Sequence, residues 1–347
     1  MNSSHKLELF FIITIVFVAA SGLTEAKGKH GYKLNIPKGL PAEEIQIPAE
    51  NPVTAVKIKL GHLLYFDKRL SADDTIACVS CHSPKHGFTD NQPVSTGIKG
   101  QKGGRSAPTV INRAFSSVQF WDGRAVSLEE QAKGPLINPL EMGMPNHDAV
   151  VQKLKRIKGY QKLFEKAFGP GEIDIDKVAK AIATFERTVL SGNSKYDRYI
   201  AGDKNAMNPS EIHGMELFNG KARCRICHSG SNFTDEKYHN IGVGMEVSNP
   251  DFGRYNLTKK EGDRGAFKTP TLRDITATAP YMHDGSEKTL EAVVEYYNKG
   301  GFANSNLDTL MEPLNLNEQE KKNIVVFMRT LDGEGWRHIQ TPEKLPQ

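Results

Sequence analysis

The sequence predicts a mostly α-helical protein assembled from two versions of one unit. Three observations carry this: apolar residues recur at helical spacing in several stretches, two cysteine motifs head similar segments, and a second pair of segments matches at one constant spacing. With 347 residues, 38% hydrophobic and 25% charged, the chain can bury a sizeable core and most simply forms two domains. Its formal charge of +4 argues for no particular partner, nucleic acid included.

Residues 1 to 26 read as an export signal: Lys6, the apolar run LFFIITIVFVAA, and the small-residue exit SGLTEA before Lys27. The run is short for a membrane span, which needs ~20 residues. Cleavage is expected, with an uncleaved N-terminal anchor as the other reading, and no later segment could span a bilayer. Helical periodicity runs through Val53 to Leu64, Val150 to Phe168 and Val178 to Val189; in the last, Val178, Ile182, Phe185 and Val189 share a face. Asn208, Pro209 and Glu211 make a helix start, with Asn208 as cap and Pro209 at the first helical position. That places a boundary near residue 205, between domains 27–204 and 205–347. The polar, Gly-rich stretch from Lys237 to Arg264 takes up the extra residues of the second unit. In EAVVEYYNKGG, Leu290, Val293, Val294 and Tyr297 keep helical spacing. A last helix follows Asn317, striped by Ile324, Phe327, Met328 and Leu331, before a polar tail.

The four cysteines fall in CVSCH (Cys78, Cys81, His82) and CRICH (Cys224, Cys227, His228), leaving none for a structural disulfide. C-x-x-C-H is the covalent haem attachment signature: two thiols reach the two vinyl groups of one haem and the adjacent histidine binds iron. Zinc or thiol redox chemistry is the competing reading, but neither explains a histidine after both pairs. The fold class is therefore two cytochrome c-like haem domains related by internal duplication, with His82 and His228 as proximal ligands. The duplication is visible as CHSPKHGFTD against CHSGSNFTD, APTVIN against TPTLRD, and FWDGRAVSLEEQA against MHDGSEKTLEAVV. The last two blocks share one offset of 162 residues, which pairs Trp121 with His283, Gln131 with Val293 and, just beyond the blocks, Pro135 with Tyr297.

Function turns on the other face of each iron, where a second strong ligand favours electron transfer and an open face permits peroxide chemistry. The first half offers Gln131, Pro135 and Glu141 after Trp121, with no methionine or histidine closer than Met142, Met144 and His147. A single carboxylate such as Glu141 can take a proton from one peroxide oxygen and return it to the other. Alternatively, Glu141 is a solvated loop carboxylate and Gln131 a surface helix residue. In the second half Tyr297 is either a core aromatic on its helical stripe or the group opposite His228. Met282 is its rival as ligand, with His283 behind it, while Tyr296 points about a quarter turn away.

CVSCH, GGRSAPTVIN, QFWDGRAVSLEEQAKGP, EMG, CRICH, KTPTLRDITATAPYMHDG and TLEAVVEYYNKGG together resemble the bacterial diheme cytochrome c peroxidase family, including its MauG branch, over nearly the whole mature chain. That branch matures a tryptophan-derived quinone in methylamine dehydrogenase. The resemblance implies a periplasmic enzyme with two c-type haems, acting on hydrogen peroxide. Its electron donor would be a small cytochrome c, a cupredoxin or a protein substrate, and the resemblance allows a homodimer. It places the peroxide site on Gln131 and Glu141 with Pro135 shaping the pocket, and gives Trp121 an electron-relay role between the haems. It places an interdomain calcium on Thr278, Pro280 and Ser106, the last usually Asn in the family.

Two departures set expectations. Where typical members carry a histidine that blocks the first haem, STGIKG puts Ile98, which cannot bind iron; His86, four residues after His82, is a poor substitute. Tyr297 stands where typical members have a methionine ligand and the MauG branch a tyrosine. Methionine makes a His-ligated haem easy to reduce, whereas phenolate stabilises ferric and higher states. A Tyr-ligated second haem would then share oxidising equivalents with the first through Trp121. The MauG branch also has a surface tryptophan just before the second haem motif, and NGKARC has none. The readings in play are a diheme peroxidase, a MauG-like oxidase of a protein substrate, and a non-catalytic diheme electron-transfer cytochrome.

Overall fold

The computed structural model describes residues 25–27 and 32–347; most of the expected export signal lies outside them. Its helices are α1 (Ala55–Tyr65), α2 (Cys78–Cys81), α3 (Leu128–Ile137), α4 (His147–Lys155), α5 (Lys158–Phe168), α6 (Ile175–Glu186), α7 (Lys195–Ile200), α8 (Pro209–Asn219), α9 (Tyr255–Thr258), α10 (Leu290–Asn298) and α11 (Glu318–Arg329). Among the described residues strand is confined to two short antiparallel pairs, β1 (Glu25–Lys27) with β2 (Lys33–Asn35) and β3 (Tyr238–His239) with β4 (Phe267–Lys268). Among the described residues no helix is long and apolar enough to cross a membrane.

Local chemistry sets the helix starts. Thr54, Ser127, Asn146, Asp174, Asn208, Thr289 and Asn317 each accept a backbone N–H of the first turn. Asn208 with Glu211, and Asn317 with Glu320, close reciprocal capping boxes. The periodic stretch Val150 to Phe168 is two helices, not one. The chain breaks at Arg156 and Ile157, and the Ile157 N–H turns back to Leu154 O at 3.0 Å. A hydrophobic stripe survives such a break because both helices face the same core, so periodicity could not reveal it.

Each half packs one pair of helices in close contact, α1 on α6 and α8 on α11. A Cβ added to Gly61 would lie 1.9 Å from Ala181 O, and one added to Gly214 would lie 1.9 Å from Asn323 O. Beside these glycines sit Phe185 and Phe327, the same aromatic in the same place in each half. Leu60, Leu64, Val178, Ile182 and Phe185 fill the first core, and Leu217, Ile324, Val325 and Met328 the second. The duplication extends to unusual backbone. Asn112 and Asp274, and Phe120 and Met282, take left-handed φ at matching positions, and Gln119 bridges Ala125 as Tyr281 bridges Glu287.

Packing is interleaved across residue 205. Tyr196 of α7 stacks edge-on against Phe233 and Phe327, and Asp197 holds Arg273 through two hydrogen bonds of 2.8 and 2.9 Å, both side chains buried. In return, Trp336 and Ile339 join the first core, and Trp336 meets Phe88 edge-on.

Gly61→Ala and Gly214→Ala are each expected to destabilise the protein by about 1–3 kcal/mol, because the obstructing atom is backbone carbonyl and cannot swing aside. The added Cβ meets no such obstacle at Gly104, so Gly104→Ala should stay within about 0.5 kcal/mol. Denaturant midpoints of the three variants test this ordering.

Candidate active site

Two cavities, of about 430 Å³ and about 240 Å³, lie one in each half. Cys81 and His82 line the first, and Cys224, Cys227 and His228 the second. Cys78 packs at the edge of the first core. In both halves the imidazole that follows the cysteine pair is oriented the same way: His82 Nδ1 lies 3.3 Å from Phe88 O and His228 Nδ1 lies 3.1 Å from Phe233 O. A carbonyl only accepts, so Nδ1 carries the proton and Nε2 keeps its lone pair for a metal. Burial lowers both histidine pKa values and keeps the rings neutral. Tyr65 holds the first motif by donating to His82 O at 2.8 Å.

The four cysteines form no disulfide. Burial pushes Cys81 up to about 11 and Cys224 up to about 12, and raises Cys78 as well. Protonated, buried thiols beside an apolar cavity suit thioether formation with a haem, and they are the reverse of the thiolates that zinc binding or disulfide exchange requires. Cys227, Asp235 and His239 do bring three ligand atoms together. The two His239 nitrogens, however, already face Asp308 at 2.6 Å and Asp235 at 3.1 Å, and thioether formation would occupy the Cys227 sulfur.

Gln131, Pro135 and Glu141 line the same cavity as His82. Gln131 and Pro135 stand four residues apart on one face of α3, and the proline, inside the helix, lacks the N–H that would have bonded Gln131 O. Glu141 follows on the next loop. Asn138 Nδ2 donates to its Oε1 at 2.7 Å, and Ile98 N donates to its carbonyl at 2.9 Å. Burial raises the Glu141 carboxyl above its ordinary range, against the charge of Arg124 and the Asn138 hydrogen bond. Ile98 is buried with its Cδ1 against Gly143, His86 is exposed, and Met142 and Met144 are core residues. Among the described lining residues His82 is the one histidine, and there is no methionine.

On α10, Val293 and Tyr297 occupy the equivalent face and line the second cavity, together with Met282 and His283. Burial raises the Tyr297 pKa, followed by the influence of Cys224 and Cys227. Tyr296 turns its hydroxyl to Ile241 O at 3.0 Å, and His283 stacks on Phe267 with ring centres 3.6 Å apart. Met282 has φ of 74°, rare for a bulky side chain. Ser106, Thr278 and Pro280 line this cavity and offer hydroxyl and carbonyl oxygens, the ligand type of calcium.

Trp121 belongs to both cavities. Its Nε1 donates to Ser106 O at 2.9 Å and its carbonyl accepts from Lys268 N at 2.7 Å, so one indole is clamped in the wall between the two sites. Arg113 and Lys268 share that wall, and burial pushes Lys268 down to about 7 although Glu236 lies 3.1 Å away. Neither cation, nor Glu186 in the first cavity, was marked by motif or periodicity, since buried charge carries no sequence period.

A helical protein with two C-x-x-C-H cavities facing one tryptophan is a two-haem c-type redox protein. The chain matches the family described as di-haem cytochrome c peroxidase over residues 55–205. It is 41% identical over 295 residues to the methylamine utilization protein MauG of Methylorubrum extorquens, covering 84% of this chain and 82% of that one. It is also 41% identical over 295 residues to cytochrome c551 peroxidase of Nitrosomonas europaea, covering 84% and 85%. A crystal structure of a MauG-like protein associated with microbial copper homeostasis is similar with a TM-score of 0.82 at 32% identity, covering 90% of this chain and 98% of that one. The chain belongs to the diheme cytochrome c peroxidase/MauG family and is an oxidoreductase of that type with two c-type haems, a family that uses hydrogen peroxide and an electron donor.

Removing both thiols of one motif, Cys78→Ala with Cys81→Ala or Cys224→Ala with Cys227→Ala, is expected to halve the covalently bound haem. Pyridine haemochrome absorbance per chain measures it, and full retention in either variant would contradict the attachment assignment.

Proposed function

We propose that the protein is a periplasmic peroxidase that reduces hydrogen peroxide in the His82 cavity. The observation that carries this is the gathering of Gln131, Pro135 and Glu141 around a cavity whose described lining has no second iron-binding histidine or methionine. When bound, the two haems supply iron that splits the peroxide O–O bond at one site and stores an oxidising equivalent at the other. Glu141, as carboxylate, takes the proton from the nearer peroxide oxygen and returns it to the departing oxygen, which leaves as water. Gln131 holds the substrate by hydrogen bonding and Pro135 gives the pocket an inert, rigid wall. Tyr297 would supply a phenol oxygen to the haem of the His228 cavity, in preference to the Met282 thioether. Trp121, clamped in the partition, relays electrons between the two sites, and a small cytochrome c, a cupredoxin or a protein substrate provides them. Thr278, Pro280 and Ser106 would hold a calcium ion through hydroxyl and carbonyl oxygens. The placement of Tyr297 also supports the MauG-like reading, oxidation of a protein partner.

Low-temperature EPR of the ferric protein is expected to show a high-spin signal from the His82 haem. Two low-spin signals alone would instead identify an electron-transfer cytochrome. Tyr297→Phe should change the low-spin signal while Met282→Leu leaves it in place; the reverse would make Met282 the ligand. Glu141→Gln should lower kcat/KM for peroxide by about 10²–10⁴-fold. Because burial raises the Glu141 pKa and the base form is the carboxylate, activity should fall as pH drops through a limb lying above the ordinary carboxylate range. A pH profile of kcat/KM, compared with that of the Gln variant, tests the sign.

A further inference from the structure

Glu186 is the last residue of α6, buried, and part of the His82 cavity lining. Its Oε2 is buried without a hydrogen-bond partner. Neighbouring donors make their hydrogen bonds to other groups. Arg187 turns to Glu129 with bonds of 2.7 and 2.9 Å and to Gln46 O at 2.8 Å. Arg113 spends Nε on Gln119 and Nη2 on Val118 O, both at 2.9 Å. Tyr65 spends its hydroxyl on His82 O. A buried carboxyl with an unpaired oxygen, in the lining of a redox site and unused by the peroxide chemistry, needs a role.

We propose that Glu186 is a proton-carrying acid of the His82 cavity, distinct from Glu141, and that it takes up a proton when this haem is reduced. The inference rests on a haem at His82, not on the roles given to Glu141 or Tyr297.

Every packed element contributes to the balance. Burial disfavours the carboxylate, as do Glu129 of α3 and the carbonyl end of α6 on which Glu186 sits. Arg187, just beyond α6, and Arg113, in the loop after the first haem motif, favour it. Tyr65 of α1 and Cys78 of α2 also face it, but the phenol is held neutral by burial and a thioether carries no charge. The outcome pushes Glu186 up to about 8. In the proposed step, one electron from an added reductant converts ferric to ferrous iron, and the Glu186 carboxylate gains one proton from solvent. The electron makes the cavity more negative, which raises the Glu186 pKa further. Reduction therefore becomes harder as pH rises through the interval between its two pKa values, and outside that interval Glu186 adds no pH dependence.

Spectroelectrochemical titration of the holoprotein from neutral to alkaline pH tests this. The ferric-to-ferrous ratio of the His82 haem at fixed potential is expected to change by up to tenfold per pH unit, about 59 mV for one electron. Glu186→Gln, equal in shape and unable to ionise, should flatten that slope; an unchanged slope in the variant overturns the proposal. Reduced-minus-oxidised infrared spectra of wild-type protein carrying carboxyl-¹³C glutamate give a second measurement that does not depend on the variant folding. A protonated carboxyl band that gains intensity on reduction above neutral pH and shifts with the label supports the assignment. Absence of such a band overturns it. Haem stoichiometry checks the cavity assignment separately, so failure of that reading is distinguishable.

Discussion

Backbone-to-backbone contact between two helices in each half is the constraint on which the rest of the structure depends. Gly61 presses on Ala181 O and Gly214 on Asn323 O, closer than any side chain would allow. Four residues beyond Gly61 on the same helix, Tyr65 holds His82 O. On its other side α6 is tied to α3, whose Glu129 is held by Arg187, the residue after α6. The second half repeats the arrangement around Phe218, Phe233 and Phe327, whose rings pack edge-on. Each half can thus enclose a cavity without collapsing on it, because the helix pair beside it is already packed backbone to backbone.

The two halves then differ where their chemistry must. One helical face carries Gln131 and Pro135 in α3, and the matching face carries Val293 and Tyr297 in α10. A proline cannot bind iron and donates no N–H to the helix, whereas a tyrosine brings a phenol oxygen to the cavity lining. One helical scaffold thus sets Gln131 and Pro135 in the lining of one cavity and Val293 and Tyr297 in the lining of the other by exchanging side chains. Between them the wall carries an indole and two cations with little solvent, where charge interactions are felt more strongly than in water.

Buried charge is the recurring theme of the first cavity. Glu141 and Glu186 both have raised pKa values, and both owe the shift chiefly to burial. They differ in partners: Glu141 accepts from Asn138, while one Glu186 oxygen is left unpaired. A hydrogen-bonded carboxyl is fixed in direction and suits transfer of a proton to a bound molecule. An unpaired one is sensitive to any change of charge in the cavity, which is the property a redox-linked proton acceptor requires.

Much was legible in the sequence alone. The helix caps at Asn208 and Asn317, the helical class, the duplicated unit, the two C-x-x-C-H motifs and the pairing of Pro135 with Tyr297 all depend on local spacing, and spacing is written directly in the chain. What only the tertiary structure decided depends on residues far apart. The break between α4 and α5 is invisible to a stripe that continues through it. The exchange of α7 and the C-terminal segment between the halves follows from the Asp197–Arg273 pair and from Trp336 meeting Phe88. The wall of Arg113, Trp121 and Lys268, and the isolation of Glu186, likewise arise only when distant segments exclude water together. Burial is a property of the folded whole, and charges acquire their altered chemistry only there.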